Sequence, residues 1–485
     1  MSRALSPPDR PIQVTNERHP AMSKQIRLNA FVMNCIGHQS MGMWRHPRDE
    51  SRLYRTLDYW TNIARTLERG LFDGLFIADV LGVNDVYGGD ASAAIRSAAQ
   101  IPINDPLMLV SAMAGATSHL GFGVTCSLTY ETPFVFARRM STLDHLTGGR
   151  IGWNIVTGYL DSAARAAGMR KQVAHDERYD MAEDYMAVVY KLWEASWDED
   201  AIVCDREAAV FADPAKIRVI RHDGPYFQIE AMHLCEPSPQ RTPVLYQAGA
   251  SPKGMGFATR HAECIFINGP SRHVIAGYVR RLREALVARG RAPESVLIFN
   301  MLTVIVAETD AEAEAKLAEY RQYVSREGAF ALLSGWSGLD FSQLDPEEQV
   351  RHVRTDSMQT AIDRFSAANP DKTWTVGEMA DFSGIGGAGP VIAGSPQTIA
   401  DELEGWMEAT GVDGFNLAYT VMPECYVDFV DLVVPELRKR GVYKHDYAEG
   451  TLREKLFLAG PRIGAGHPAA EIRALKGQAP ALQDA

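Results

Sequence analysis

From Ile26 onward the chain alternates short, nearly unbroken apolar runs with stretches in which apolar residues recur every three or four positions. The runs at 26–33, 74–79, 121–128, 150–157, 242–249, 262–269, 297–307 and 414–420 predict eight strands. The helical spacing falls between them, at 53–69, 105–119, 178–194, 273–289, 310–323 and 396–410. Apolar strands separated by helices indicate a parallel sheet buried on both faces. Eight such units spread over about 420 residues fit an α/β fold of the (β/α)8 TIM-barrel type better than an open sheet.

Two stretches break the rhythm. Residues 196–240 contain Trp197-Asp198-Glu199-Asp200 and a hairpin-like segment, 219–229, around His222-Asp223-Gly224-Pro225. Residues 326–390 are polar and Gly-rich, with Trp336, Trp374 and a glycine cluster near the end. Insertions of this length in a compact domain serve as lids or oligomer contacts. The expected organisation is a flexible extension over 1–22, one barrel domain over 23–455, and a tail over 456–485. From Gly460 the tail is rich in Ala, Gly and Pro and is expected to leave the core. No internal repeat is visible.

The net charge of -12 excludes nucleic-acid binding as the main activity, since phosphate contacts need clustered Lys and Arg. Six scattered cysteines, without a C-x-x-C pair or zinc-like spacing, point to a reducing compartment and to no structural metal. No run reaches the roughly 20 apolar residues of a membrane span. The first 21 residues lack the apolar segment of a secretory signal, and Met22-Ser23-Lys24 reads as a natural start. A cytoplasmic enzyme is the expectation.

Barrel chemistry belongs at the C-terminal ends of the strands. Asp79 ends the second strand, Thr125 sits in the third, and Asn154 and Thr157 close the fourth. Each also has an ordinary structural reading, as a turn carboxylate or a satisfied buried hydroxyl. His175 and Tyr179 are four apart and share one helical face, with Asp176 as the expected N-cap. Two Ser-Pro helix starts could bind phosphate: Ala248-Gly249-Ala250-Ser251-Pro252, and Gly394-Ser395-Pro396, which the general barrel rule favours. The G-x-G-x-x-G match at Gly384–Gly389 is followed by Pro390 and neither closes a strand nor opens a helix, so a dinucleotide site fails there. Cys35, His38 and His46 lack a companion carboxylate for a metal; Cys35 and His38 shape a pocket at the mouth of the first strand, or Cys35 simply packs.

Taken together, Trp44-Arg45-His46-Pro47, Leu75-Phe76-Ile77-Ala78-Asp79, the stretch 149–157, His175-Asp176-Glu177-Arg178-Tyr179-Asp180 and Gln247-Ala248-Gly249 resemble the luciferase-like flavin monooxygenases. The resemblance extends over Asp413-Gly414-Phe415-Asn416-Leu417 and covers roughly 24–460. It is nearest the nitrilotriacetate, dibenzothiophene-sulfone, dimethyl-sulfide and long-chain alkane monooxygenase branch. It implies a bacterial-luciferase-like barrel that takes reduced FMN from a separate NAD(P)H:flavin reductase and inserts one atom of O2 into a substrate. It implies FMN contacts from Asp79, Thr125, His175, Tyr179 and the Ala250-Ser251 loop, with Asn154 and Thr157 beside the ring. It also implies a homodimer or homotetramer.

The same resemblance places Cys35, His38, Asn84, Gln100 and Tyr159 around the substrate. Asn84 stands where the alkane and dimethyl-sulfide members have Tyr, Tyr159 matches the dimethyl-sulfide member, and Gly158 replaces a Ser. A small or medium apolar substrate, an organosulfur compound or an alkane, is the expectation. The alternatives are a deazaflavin-dependent dehydrogenase on the same barrel and a non-catalytic flavin-binding protein.

Overall fold

The computed structural model describes residues 24–249, 251–350, 365 and 372–475. The eight apolar runs form parallel strands: β1 (Arg27–Met33), β2 (Gly74–Ala78), β3 (Gly121–Ser127), β4 (Ile151–Val156), β5 (Val244–Gln247), β6 (Cys264–Ile267), β7 (Leu297–Val306) and β8 (Gly414–Ala418). They pair in the order β6-β5-β4-β3-β2-β1-β8-β7, and β6 also pairs with β7, so the ring is closed.

Alternation along each strand divides the apolar side chains between two layers. Leu28, Ala30 and Val32 of β1 pack outward against the helices, whereas Phe31 meets Phe76 and Phe266 inside, at ring separations of 5.6 and 4.9 Å. Tyr246 joins this interior stack through Phe76. Its ring needs Gly152, where a Cβ would lie 2.5 Å from Tyr246 Cε2.

The outer layer is built from amphipathic helices. In α1 (Leu57–Arg69) the buried residues Tyr59, Trp60, Ile63, Ala64 and Leu67 make one stripe. Helices α2 (Leu107–Gly115), α3 (Pro133–Leu146), α4 (His175–Tyr190), α5 (Pro252–His261), α6 (Arg272–Ala288) and α7 (Asp310–Arg321) continue the layer. Helix α4 starts at His175 with Ala174 in the cap position, so Asp176 is not the N-cap expected from the sequence. It lies in the first turn, where a carboxylate is favoured by the helix dipole.

The first insertion forms two antiparallel hairpins, Ile202–Asp205 with Val210–Ala212 and Ile220–Asp223 with Gln228–Ala231. Asp184 of α4 anchors the second by accepting from the Tyr226 and Phe227 amides, each at 2.9 Å, and by pairing with His222 at 2.8 Å. The second insertion contains α8 (Arg326–Ser337) and α9 (Val376–Ser383), then a short strand, Val391–Gly394, on the C-terminal half of β7. Helix α10 (Pro396–Thr410) leads to β8.

The expectation that the chain leaves the core at Gly460 is corrected by the structure. Arg462 donates to the Ser238 and Pro239 carbonyls, and the His467 ring bonds the His261 carbonyl at 2.8 Å. After α11 (Leu452–Phe457), α12 (Pro468–Leu475) lies on the π-helical turn Lys191–Ala195 with Ala469 fully buried. Small residues suit such close packing as well as they suit a loose tail. The proposed 1–22 extension, the end of the tail from 476, and Ala250 lie outside the described residues. Among the described residues no helix is long and apolar enough to cross a membrane.

Candidate active site

The C-terminal ends of the strands open into a cavity of about 270 Å³. Phe31, Phe76 and Phe266, the top of the interior stack, give it an aromatic floor. Thr125 and Asn154 are register partners on β3 and β4, and the Asn154 amide donates to Thr125 Oγ1 at 2.8 Å. Asp79, directly after β2, and Thr157, directly after β4, stand on the same rim.

On one side two helix N-termini converge. Ser251 caps α5 by accepting from the Gly254 amide at 3.1 Å, and its Oγ lies 3.4 Å from His175 Nε2 at the start of α4. One turn further, Tyr179 sits with its ring 5.3 Å from His175 and bonds toward Gln247 and Ser251. Helix starts carry free N–H groups and the positive end of the dipole, so this corner is built for an anion.

The opposite side is mostly apolar. Met301 from β7, Trp336 from α8 and Ala388 line it. Trp336 donates to the buried Tyr159 hydroxyl, tying the loop after β4 to the second insertion. His38 and Gln100 enter from the loops after β1 and β2, and the Gln39 amide lies 3.2 Å from His38 Nε2.

Burial sets the electrostatics. It pushes the Asp79 carboxyl up to about 7, helped by the charge of Asp105, and takes His38 down to about 3, so the imidazole is neutral at ordinary pH. The phenols of Tyr159 and Tyr179 are raised by the same cause and stay protonated.

Ten residues singled out in the sequence therefore share one cavity: His38, Asp79, Gln100, Thr125, Asn154, Thr157, Tyr159, His175, Tyr179 and Ser251. Cys35 and Asn84 do not line it. The Cys35 thiol is buried against the Gly37 carbonyl at 3.3 Å, and Asn84 sits behind Gln100, donating to its Oε1 at 3.4 Å. His46 points to Glu319, and Ser395 caps α10, both away from the cavity. Gln247, Arg178 and the apolar wall of Met301, Trp336 and Ala388 were missed. Gln247, Arg178, Trp336 and Ala388 lay inside segments already noticed but were not assigned to the site; Met301 had no local signal.

Asn154 Oδ1, Gln247 Oε1, Ser127 Oγ and His38 Nδ1 are buried with no hydrogen-bond partner, and all four residues line the cavity. Unpaired buried polar atoms are costly. Around an aromatic floor with an anion corner, they fit a planar, polar heterocycle carrying an anionic tail.

Comparison with known proteins gives a consistent picture. The family model for luciferase-like monooxygenases matches residues 33–414. The dimethyl-sulfide monooxygenase of Hyphomicrobium sulfonivorans is 51% identical over 453 residues, covering 93% of this chain and 94% of that relative. The long-chain alkane monooxygenase of Geobacillus thermodenitrificans is 46% identical, covering 93% and 99%. The crystal structure of DmoA from Hyphomicrobium sulfonivorans superposes with a TM-score of 0.89 at 50% identity, over 95% of this chain and 98% of that one. An F420-dependent secondary alcohol dehydrogenase, at 16% identity and a TM-score of 0.53, shares the fold alone.

Proposed function

The chain belongs to the luciferase-like monooxygenase family, and on that premise we propose that it is the oxygenase of a two-component system using reduced FMN. A separate NAD(P)H:flavin reductase supplies the FMN in reduced form. The substrate is a small or medium apolar molecule, an organosulfur compound or an alkane. The observation that carries this reading is the layout of the cavity, with an anion corner at one end, an aromatic floor, and an apolar end across the ring.

In this reading Ser251, His175 and Tyr179 hold the FMN phosphate at the starts of α5 and α4. Thr125, Asn154 and Gln247 would offer polar atoms to the flavin, and Phe31, Phe76 and Phe266 would give it apolar surface. Bound there, reduced FMN supplies the activation of O2 and the transfer of one oxygen atom. The chain orients the two reactants and keeps water away, with the Tyr159–Trp336 contact roofing the apolar end. Burial keeps His38 neutral and raises the Asp79 carboxyl to about 7, which lowers the charge these two residues bring to the cavity.

The first hairpin exposes Val203, Val210 and Phe211, apolar surface that would suit a homodimer or homotetramer, which light scattering checks. The cytoplasm, with its NAD(P)H supply, is the compartment that suits the reaction.

The test is turnover under ¹⁸O-labelled O2 with a flavin reductase, NADH and FMN, offering dialkyl sulfides, sulfones and n-alkanes. Product carrying one labelled atom is expected from at least one class. Failure with every class, alongside hydride transfer from a reduced deazaflavin, overturns the reading.

A further inference from the structure

The glycine cluster at Gly384–Gly389 joins α9 to the strand Val391–Gly394, the reverse of the strand-to-helix order a dinucleotide loop requires. It is nevertheless tightly specified. Gly386 and Gly387 adopt φ of 75° and 60°, in the left-handed region. A Cβ would lie 2.5 Å from Thr303 Oγ1 at Gly386, 1.8 Å from Gln39 Oε1 at Gly387, and 2.8 Å from the Met301 carbonyl oxygen at Gly389. The Gly386 amide is fixed to Ser40 Oγ at 3.0 Å. Residues 386–389 thus lay bare main chain on the barrel mouth between β1 and β7, and Ala388 supplies their one side chain. That side chain is 2% exposed and lines the cavity beside Met301 and Trp336.

The closed ring fixes which end this is. The anion corner is held by the helices that follow β4 and β5, and in a ring of eight the strands facing those are β8 and β1. The loop carrying Ala388 abuts Gln39 and Ser40 after β1 and Met301 and Thr303 of β7, the two strands that flank β8, so Ala388 stands across the mouth from the anion corner, at the apolar end.

We propose that Ala388 sets the depth of the substrate end of the cavity and so limits the length of the apolar molecule that can be oxygenated. This rests on the monooxygenase reading above. The main chain beneath Ala388 cannot retreat, because Gln39, Thr303 and Met301 already touch it. A larger side chain at 388 must therefore grow into the cavity. Met301 is the unbranched, adaptable part of the same wall, and shortening it should deepen the chamber.

Calorimetric titration of the FMN-loaded protein with dimethyl, dibutyl and dioctyl sulfide tests this, with labelled-oxygen turnover measured in parallel. In Ala388→Leu the ratio of the octyl to the methyl dissociation constant is expected to rise about tenfold or more. In Met301→Ala, which is independent of whether Ala388→Leu folds, the ratio is expected to fall. FMN affinity should stay within about twofold of the parent in both, because neither changes a polar contact to the cofactor. Equal weakening across the series, a collapse of FMN affinity, or no sulfide binding to the parent protein overturns the assignment. Length-dependent binding without labelled product leaves the depth assignment standing and removes dialkyl sulfides as substrates of the proposed reaction instead.

Discussion

At the scale of residues, Ser251 has two roles that can be separated. Its hydroxyl caps α5 through the Gly254 amide, and it faces the anion corner beside His175. Ser251→Ala and His175→Ala should each weaken reduced-FMN binding by about 1–3 kcal/mol in anaerobic titration. Only Ser251→Ala should also lower unfolding stability, by about 1 kcal/mol, through the lost cap. Unchanged flavin affinity in both variants removes the phosphate assignment. Asp79 gives a pH signature in the flavin-free protein. Its carboxyl holds a proton in the folded state up to about 7, whereas the unfolded chain releases it near the ordinary value of 3.8. Between those limits the folded state binds more protons, so this group's contribution to stability falls as pH rises. Urea unfolding at pH 5 and pH 7.5 should show a smaller decline in Asp79→Asn than in the parent; equal declines would show that Asp79 ionises freely. His175 and Tyr179 could be paired from the sequence because i, i+4 spacing is local, whereas capping alone could not tell Ser251 from Ser395, since both open a helix with Ser-Pro. Trp336 and Ala388 were not legible, because only the folded insertion brings them to the mouth.

At the scale of elements, all eight ring strands could be read from the sequence because burial on both faces leaves a short, continuous apolar run. Helix α8 escaped for the converse reason. Every residue from Gly328 to Ser337 is buried, so no polar face marks a helical period. The strand Val391–Gly394 escaped because four residues paired on a single side leave little pattern. The glycine cluster supplies a test at this scale. Gly387→Ala meets both a positive φ and Gln39, and should destabilise by about 1–3 kcal/mol. Gly115→Ala, at the exposed end of α2 with open space around it, should be neutral or stabilise by about 0.5–1 kcal/mol. The denaturant midpoint should fall in Gly387→Ala and hold or rise in Gly115→Ala; an unchanged midpoint in Gly387→Ala would mean that the loop can adapt.

At the scale of the molecule, the C-terminal segment straps the base of the barrel. Arg453, fully buried, bonds Glu263 at 2.7 and 2.9 Å and donates to the Thr242 and Pro243 carbonyls. Arg453→Met leaves the Glu263 carboxylate buried and unpaired, which should cost about 3–5 kcal/mol; adding Glu263→Leu should recover part of the loss. Thermal unfolding of the single and double variants checks the order, and a double variant no better than the single would show that the carbonyl contacts dominate. The part of the strap after Gly460 was illegible in a stretch of small residues, because composition alone does not distinguish close packing from looseness.

The order of the ring has a consequence for how such a protein can diverge. Thr125, Asn154, His175, Tyr179 and Ser251 all precede β6 in the chain, while Met301, Trp336 and Ala388 all follow it. The anion corner is thus encoded wholly before β6, whereas the apolar end draws on both halves of the chain, with His38, Gln100 and Tyr159 before β6 and Met301, Trp336 and Ala388 after it. Recombination within α6 can exchange the Met301, Trp336 and Ala388 wall between relatives and leave the anion corner untouched, so the chamber can be reshaped without rebuilding the machinery that serves it.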